Sequence, residues 1–199
     1  MIKAIIFDIG GVIYVGKQKS NQSMQEKLGL DKDSWFKATR EAWNNLVVGK
    51  ISEKKGISQM AKNLGVSEKR VRELWLQTFK ERFVLNKPIL KIIKKLKKDY
   101  KLAILSDQWI MPYRILITKE IKKMFEVKVF SHQVKTKKPE IKIYKITLKK
   151  LGLKSDECII IDDVKHYLDS AKKLGMKTIL FKNNKQLVKD LRKFGVKLD

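Results

Sequence analysis

Short apolar runs alternate with amphipathic stretches along most of this chain of 199 residues. Five such runs, each bounded by a turn signal or a charge, predict β-strands at residues 2–7, 102–105, 127–130, 158–161 and 178–181. Helical periodicity between them predicts helices at residues 89–98, 139–151 and 168–174. Strands that alternate with helices form parallel βαβ units, and these strands are almost continuously apolar. We therefore expect an α/β core whose parallel sheet is covered by helices on both faces.

The segment from residue 16 to residue 83 breaks this alternation. It contains no convincing strand, and its aromatic anchors occur in helical context; they are Trp35, Phe36, Trp43 and Trp75. The segment therefore predicts a small all-helical insertion after the first strand, so that residues 1–15 and 84–199 form the α/β core and residues 16–83 form the insertion. Ser34 and Ser67 are expected to cap two of its helices at their N-termini.

The chain is strongly basic, with 46 lysines and arginines against 21 aspartates and glutamates and a formal net charge of +25. Such a surplus attracts polyanions, so nucleic acid or an anionic membrane surface must be considered. Only six of the basic residues are arginines, however, and arginine is the side chain that binds phosphates and bases in a bidentate manner. We therefore interpret the charge as a solvated lysine-rich surface that attracts small anionic substrates, and we do not favour nucleic acid as a partner.

Cysteine content and hydropathy restrict the class of protein further. The single cysteine, Cys158, excludes a framework of disulfides within the chain and a zinc site built on cysteines. No apolar run approaches the roughly 20 residues that a membrane span requires. The N-terminal segment reaches Asp8 too early for the apolar core of a signal peptide. These features predict a cytoplasmic protein with no membrane partner, and they leave its oligomeric state open.

Acidic and hydroxyl side chains follow three of the five expected strands. The first strand is followed by Asp8, the second by Ser106 and Asp107, and the fourth by Asp162 and Asp163. The carboxyl ends of parallel strands meet at one edge of the sheet, where the ligands of α/β proteins bind. Four carboxylates gathered there repel one another unless a cation or a lysine neutralises them, and hard oxygen ligands select Mg²⁺. We therefore predict a magnesium site at this edge.

Four motifs in order along the chain resemble those of the haloacid-dehalogenase-like hydrolase superfamily. They are FDIGGVI at residues 7–13, Ser106 after an apolar strand, Lys138 in KKPEI at residues 137–141, and IDD at residues 161–163. The segments GKISE at 49–53 and LGVS at 64–67 resemble the helical C1-type cap of that superfamily. In particular, the chain resembles the clade that contains the phosphatase domain of soluble epoxide hydrolases and related sugar-phosphate phosphatases. The resemblance implies a Rossmann-like three-layer core, a helical cap and a hydrolase activity.

The resemblance implies that Asp8 is a nucleophile, which attacks phosphorus and forms an aspartyl-phosphate. It also implies a magnesium ion held by Asp8, by the backbone carbonyl of Gly10 and by an acid of the fourth motif. Counting twelve residues back from Gly175 favours Asp163 over Asp162 as that ligand. Asp162 is then expected to support the metal through a hydrogen bond or a water.

The same resemblance implies a substrate-binding role for Ser106, whose hydroxyl would bond a phosphoryl oxygen, with Asp107 beside it. It implies that Lys138 offsets the negative charge of Asp8 and of the phosphoryl group during transfer. Pro139 follows Lys138 directly and suits the first turn of the helix expected there.

Two residues depart from the pattern of the superfamily's phosphatases. These commonly carry a second aspartate two residues after the nucleophile, which acts as general acid and base, and here that position is Gly10. Loss of a general acid costs on the order of 10²–10⁴ in rate when the leaving group needs a proton, and less for acyl phosphates or sugar 1-phosphates. Tyr167 stands four residues after Asp163, where an aspartate or asparagine commonly supports the metal; its hydroxyl either points away or reaches the acids.

Three hypotheses about function follow from these residues. The first is a magnesium-dependent phosphatase of a small phosphorylated metabolite. The second is a 2-haloacid dehalogenase, whose halide leaving group needs no acid, although the paired acids Asp162 and Asp163 argue against a reaction that requires no metal. The third is a catalytically weak member that binds an anionic polymer or a protein partner, which Gly10, Tyr167 and the net charge favour.

Overall fold

The computed structural model describes residues 1–17 and 20–198, and within them the chain forms seven strands. They are β1 (Ala4–Phe7), β2 (Tyr14–Val15), β3 (Val84–Leu85), β4 (Lys101–Ser106), β5 (Val127–Phe130), β6 (Cys158–Asp162) and β7 (Lys177–Leu180). Five of them form a parallel sheet in the order β5-β4-β1-β6-β7, whereas β2 pairs with β3 in an antiparallel ribbon. Strand β1 therefore lies in the centre of the sheet, between β4 and β6.

Helices make up most of the remaining described chain. They are α1 (Ser20–Leu28), α2 (Lys32–Val47), α3 (Glu53–Leu64), α4 (Glu68–Arg82), α5 (Lys87–Leu96), α6 (Ile110–Leu116), α7 (Lys119–Met124), α8 (Ser131–Val134), α9 (Ile141–Leu151), α10 (Lys165–Lys173) and α11 (Asn184–Lys193). We call α1–α4, which lie between β2 and β3 along the chain, the helical insertion. None of the helices in the described ranges combines the length and the apolar character needed to cross a membrane.

Alternate residues of the central strand point to opposite faces of the sheet, and helices cover both faces. Ile5 and Phe7 lie in one apolar cluster with residues of α5 and α11. Ala4 and Ile6 lie in a second cluster with residues of α9 and α10. All four side chains are fully buried, which accounts for the continuous apolar run at this strand. The predicted α/β core with a parallel sheet covered on both faces is confirmed.

The helical insertion has a hydrophobic core of its own. Each of its four helices contributes a buried side chain to this core, among them Met24, Trp35, Ile57 and Trp75. Trp109, which immediately precedes α6 in the α/β core, belongs to the same cluster. Its ring meets that of Trp75 edge to face, with 5.6 Å between the ring centroids. Trp109 therefore packs the insertion against the edge of the sheet.

A hydrogen-bonded link joins the insertion to the same edge. The buried hydroxyl of Ser131, at the start of α8, donates to the carbonyl of Val47 at the end of α2 over 2.6 Å. The same oxygen accepts the backbone N–H of Gln108 over 2.9 Å. Because Gln108 follows β4 by two residues, this link fixes the end of α2 beside the carboxyl end of a central strand.

All five predicted strands are present, with ends that differ from the prediction by at most two residues. The helix predicted at 168–174 begins earlier, at Lys165, and the helix predicted at 139–151 begins later, at Ile141. The ribbon of β2 and β3 was not predicted, because strands of two residues are too short to show a period.

The two predicted helix caps have different outcomes. Ser67 caps α4 as predicted, since its hydroxyl accepts the backbone N–H of Arg70. The prediction for Ser34 was wrong: Asp31 precedes α2 and its carboxylate accepts the backbone N–H of Ser34. Both residues are good cap formers, and the charge of Asp31 also suits the positive end of the helix dipole.

Candidate active site

The register of the sheet brings two of the acidic residues together. Phe7 of β1 is aligned with Ile104 of β4 and with Ile161 of β6. The next residues stand at one level, so that Asp8, which follows β1, lies beside Asp162, the last residue of β6. The backbone N–H of Asp8 donates to the carbonyl of Ile161 over 3.0 Å, which extends the ladder by one residue. Asp8 is 5% exposed and Asp162 is fully buried. Two neighbouring carboxylates in this position need a counter-charge.

Lys138 supplies that counter-charge from the loop before α9. Its Nζ lies 3.0 Å from Oδ1 of Asp8 and 2.6 Å from Oδ2 of Asp162, and 1% of its side chain is exposed. Pro139 lies two residues before α9, which begins at Ile141, so the expectation that this proline stands in the first turn of the helix was wrong. The position of Lys138 depends instead on the loop, whose backbone is tied to the end of β4.

The charges of this cluster determine the protonation state of Asp8. Burial by itself would raise the pKa of Asp8, but the ammonium groups of Lys138 and Lys17 outweigh it and hold that pKa below its usual value. Burial opposes the charged form of Lys138 too, yet Asp8 and Asp162 raise its pKa well above the usual value. Asp8 is therefore ionised and can act as a nucleophile, with a permanent positive charge in contact with it.

A second lysine, Lys17, lies on the other side of Asp8. Its Nζ donates to Oδ1 of Asp163 over 2.7 Å and to the backbone carbonyl of Gly10, and it lies 3.6 Å from Oδ2 of Asp8. Sequence reasoning missed Lys17, because the chain is rich in lysines and the contact with Asp163 joins residues 146 positions apart. The sequence signal that could have pointed to a residue such as Lys17 is Gly10, because the absence of a side chain there leaves room for a side chain from elsewhere.

Two glycines shape the loop that follows β1. A Cβ atom at Gly10 would stand 3.1 Å from Cδ of Lys17, which is tighter than an ordinary contact. Gly11 has a φ of +89°, a conformation that favours glycine, and a Cβ atom there would collide with the carboxylate of Asp163. The glycines therefore allow the loop, Lys17 and Asp163 to approach one another closely.

Ser106 and Asp107 form the third part of the site, at the end of β4. The buried hydroxyl of Ser106 accepts Nε2 of Gln108 over 3.3 Å. Oδ1 of Asp107 accepts the backbone N–H of Lys138 over 3.1 Å. Its second oxygen, Oδ2, is buried and has no hydrogen-bond partner within residues 1–17 and 20–198. Burial raises the pKa of Asp107 to about 6, so that part of the population is protonated near neutral pH.

Tyr167 packs against the buried lysine. The Nζ of Lys138 lies 5.0 Å from the centre of its ring, a distance at which the ring face attracts a cation. Burial raises the pKa of the Tyr167 hydroxyl to about 12, so the phenol stays neutral. Its backbone carbonyl accepts the hydroxyl of Tyr144 over 2.8 Å. Tyr167 thus contributes a ring face to the charged cluster, whereas Asp and Asn at such a position would contribute oxygen.

A cleft of about 410 Å³ opens above these residues. The residues that line it include Asp8, Gly10, Lys17, Ser106, Asp107 and Lys138. The helical insertion contributes aromatic side chains to the wall, among them Trp43 and Trp75, and the core contributes Trp109. Asp162 and Asp163 join the same cluster through Lys138 and Lys17. The structure thus brings every predicted site residue to one place.

The acids offer oxygen ligands for a metal ion. One carboxylate oxygen of each of Asp8, Asp162 and Asp163 lies within 4.8 Å of the other two. The carbonyl of Gly10 belongs to the same group, because it shares the ammonium of Lys17 with Asp163. A donor set made only of oxygen suits a hard divalent cation, and the ammonium among these oxygens marks where a positive charge is stable. The residues present therefore fit a divalent cation.

Asp162 is the least free of the three acids. Its Oδ2 binds the ammonium of Lys138, and its Oδ1 accepts the backbone N–H of Val164 over 2.9 Å. Asp163, whose side chain is 11% exposed, has only the partly exposed ammonium of Lys17 as a charged partner in the described chain. Asp8 and Asp163 are consequently better placed than Asp162 to give an oxygen to a metal.

Comparison with known sequences gives related enzymes. The chain is 25% identical over 189 residues to a phosphorylated carbohydrates phosphatase of Thermotoga maritima, with 89% of this chain and 84% of that protein covered. It is 24% identical over 220 residues to bifunctional epoxide hydrolase 2 of Sus scrofa, with 99% of this chain covered. The chain spans about 40% of the length of that second protein.

Comparison with solved structures supports the fold independently. A haloacid-dehalogenase family enzyme of Bacteroides thetaiotaomicron, solved as a magnesium complex, superposes with a TM-score of 0.78 at 21% identity. The superposition covers 91% of this chain and 93% of that one. The sequence model of the haloacid dehalogenase-like hydrolases matches residues 5–181, which include every residue of the cluster described above. The protein is a hydrolase that belongs to the haloacid dehalogenase-like family.

Proposed function

We propose that the protein is a magnesium-dependent phosphatase of a small phosphorylated metabolite and that it works through an aspartyl-phosphate on Asp8. The observation that carries the proposal is the ionised carboxylate of Asp8, which lies in the cleft with Lys138 on one side and an oxygen donor set on the other. The Thermotoga maritima relative, named as a phosphatase of phosphorylated carbohydrates, and the magnesium complex of the Bacteroides enzyme support it.

The reaction would proceed in two displacements at phosphorus. A carboxylate oxygen of Asp8 attacks the phosphoryl group, and the bond between phosphorus and the leaving oxygen breaks. Water then attacks the phosphorus of the aspartyl-phosphate, which releases inorganic phosphate and restores the carboxylate. Mg²⁺ would be held by Asp8, Asp163 and the carbonyl of Gly10, where it would supply positive charge to the phosphoryl oxygens. Asp162 would contribute by holding Lys138.

The remaining residues would bind and neutralise the phosphoryl group. The ammonium of Lys138, 3.0 Å from Asp8, would offset charge that builds up between nucleophile and phosphoryl oxygens. The hydroxyl of Ser106 lines the same cleft and would donate to one of these oxygens. Both groups are held in place before substrate arrives, because each is buried and hydrogen-bonded.

Asp107 would bind substrate in its protonated form. A carboxylate beside a phosphoryl group repels it, whereas a protonated carboxyl donates a hydrogen bond. The pKa of Asp107 is raised to about 6 by burial, and its Oδ2 is buried without a partner in the described residues, so a proton there would be free to donate. We therefore assign Asp107 to the substrate-binding residues together with Ser106 and Lys138.

The shape of the site favours a small substrate. The cleft of about 410 Å³ lies between the core and the helical insertion, so we propose that residues 16–83 act as a cap over the nucleophile. A cleft of this size with aromatic walls accepts a small phosphorylated compound more readily than a nucleic acid. A cytoplasmic location remains a prediction from the sequence.

A specific observation favours a second function, that of a 2-haloacid dehalogenase. The ammonium of Lys17 already supplies a positive charge at the donor set of Asp163 and Gly10. A site whose charge is balanced by two lysines could carry out a displacement that needs no metal. In that reaction a carboxylate oxygen of Asp8 would attack carbon 2 of the haloacid and displace halide, and water would then hydrolyse the ester.

The first prediction concerns the nucleophile. We expect wild-type protein to release phosphate from a panel of phosphoesters and acyl phosphates in the presence of Mg²⁺ and not in the presence of EDTA. Asp8→Asn should lower the rate by on the order of 10³-fold or more, because no aspartyl-phosphate can form. Asp169→Asn, which removes an equal charge at an exposed position of α10, should retain the activity. Equal rates for Asp8→Asn and wild type would contradict the proposal.

The second prediction concerns the leaving group. Because Gly10 provides no acid, kcat/KM for acetyl phosphate should exceed that for a simple alkyl phosphate, whose alkoxide must be protonated, by about 10²–10⁴-fold. The measurement is phosphate release at matched Mg²⁺ concentration over several alkyl phosphates of different leaving-group pKa. A rate that does not depend on the leaving group would show that another residue supplies the proton.

The third prediction separates the two functions. If the phosphatase proposal is correct, 2-chloropropionate should give no chloride release above background, with or without EDTA. Chloride release that persists in EDTA and is lost in Asp8→Asn would instead establish the dehalogenase. A chloride electrode and the phosphate assay on the same preparations distinguish these outcomes.

The fourth prediction concerns Asp107 and pH. Its pKa is raised to about 6 in the folded protein, so the stability that its proton contributes is present at low pH and is lost as pH rises from about 4 through 6. Asp107→Asn has no such loss. We measure the free energy of unfolding of this variant and of wild type with urea in EDTA. The difference, variant minus wild type, should increase by on the order of 1–3 kcal/mol as pH rises from 4.5 to 7.5. A difference that does not change with pH would be incompatible with a raised pKa.

A further inference from the structure

Lys17 occupies the position at which the proposed function needs a metal ion. Three oxygen atoms surround its Nζ: the carbonyl oxygen of Gly10, Oδ1 of Asp163 at 2.7 Å and Oδ2 of Asp8 at 3.6 Å. These three residues are the same ones that we propose as ligands of Mg²⁺. An ammonium and a metal ion cannot both stand among them at contact distance, because both are cations and need the same oxygens.

The loop after β1 is built to admit this lysine. Gly10 has no side chain, and a Cβ atom there would stand 3.1 Å from Cδ of Lys17, so the lysine stem lies along the face that a side chain would cover. An aspartate at position 10 would therefore compete with Lys17 for space. Gly11 similarly leaves room for the carboxylate of Asp163. The absence of an acidic side chain at position 10 therefore makes room for the ammonium of Lys17.

The charge balance of the cluster depends on Lys17 as well. Lys138 contacts one oxygen of Asp8 and one of Asp162, and it does not contact Asp163. Lys17 is the charged partner of Asp163 and lies near the second oxygen of Asp8. A carboxylate as poorly exposed as Asp163, at 11%, is unfavourable without a nearby cation. Either an ammonium or a metal ion can meet this need.

Lys17 is also free to leave. Its side chain is 26% exposed, whereas that of Lys138 is 1% exposed. It follows the short strand β2 and precedes α1, so it lies in the segment through which the chain enters the helical insertion. A four-carbon side chain that is partly exposed and lies outside the sheet can swing toward solvent without disturbing the strands.

We propose that the ammonium of Lys17 and the divalent cation are alternative occupants of one position formed by Asp8, Gly10 and Asp163. Lys17 stabilises the acids when no metal is bound and leaves them when metal binds. Metal binding must displace the ammonium of Lys17 from its oxygen partners, and this displacement is unfavourable. The affinity for Mg²⁺ is therefore lower than the oxygen ligands alone would provide. This inference rests on the metal-dependent part of the proposed function, but its test requires no turnover.

The first test measures Mg²⁺ binding directly. Isothermal titration of metal-free protein with MgCl2 should show Lys17→Met binding Mg²⁺ roughly tenfold or more tightly than wild type. Lys165→Met removes the same charge from an exposed position two residues beyond Asp163, and it should change the affinity less than about twofold at 0.15 M salt. Lys17→Gln serves in place of Lys17→Met if that variant does not fold, with the same expectation. Equal or weaker affinity in the Lys17 variants would overturn the proposal.

The second test follows Lys17 in the wild-type protein. Labelling with an amine-reactive reagent, read by mass spectrometry, should modify Lys17 faster in MgCl2 than in NaCl of equal ionic strength, whereas Lys165 should react at the same rate in both. Protection of Lys17 that does not change with MgCl2 would count against exchange.

The two proposals can fail separately. If Mg²⁺ binding changes as expected but no phosphoester is hydrolysed, the phosphatase proposal fails and the exchange stands. If phosphoesters are hydrolysed with Mg²⁺ but wild type and Lys17→Met bind the ion equally, the exchange fails and the phosphatase proposal stands.

Discussion

The buried ammonium of Lys138 is the interaction on which the rest of the site depends. The sheet register places Asp8 and Asp162 side by side at the ends of neighbouring strands, where both are buried and little solvent screens their charges. Without a cation between them, one of the two would take up a proton. Lys138 contacts both, at 3.0 and 2.6 Å, and the ring of Tyr167 lies against it. The ionised state of Asp8 is therefore a property of the whole cluster.

The two sides of Asp8 differ in how permanent their cations are. Lys138 is enclosed by protein, so its ammonium stays beside Asp8 as long as the protein is folded. Lys17 is 26% exposed and lies against the loop that contains Gly10 and Gly11, and its oxygen partners also suit a metal ion. The helical insertion, anchored through Ser131 and Trp109 near the end of β4, contributes side chains to the wall of the cleft above Asp8. One face of the nucleophile is thus fixed while the other can exchange its partner.

Much of the fold and part of the site could be predicted because the signals are local. The five main strands are short apolar runs, and Asp8 and Asp162 follow two of these runs directly in the sequence, so a parallel sheet brings them to one edge. The role of Lys138 was predicted from its sequence motif. The reason given for its position, a helix beginning at Pro139, was wrong. The ribbon of β2 and β3 was missed because two-residue strands carry no detectable period.

The sequence by itself determined the layered α/β fold, the place of the helical insertion and the acids at the strand ends, because hydrophobic periodicity and strand termini are read along a few residues. Only the tertiary structure decided that a second cation, Lys17, meets those acids beside Lys138. Lys17 and Asp163 are 146 positions apart, and no local pattern distinguishes this lysine from the many others. Their contact follows from the close approach of the loop at Gly10 and Gly11 to the end of β6, a distance set by packing in three dimensions.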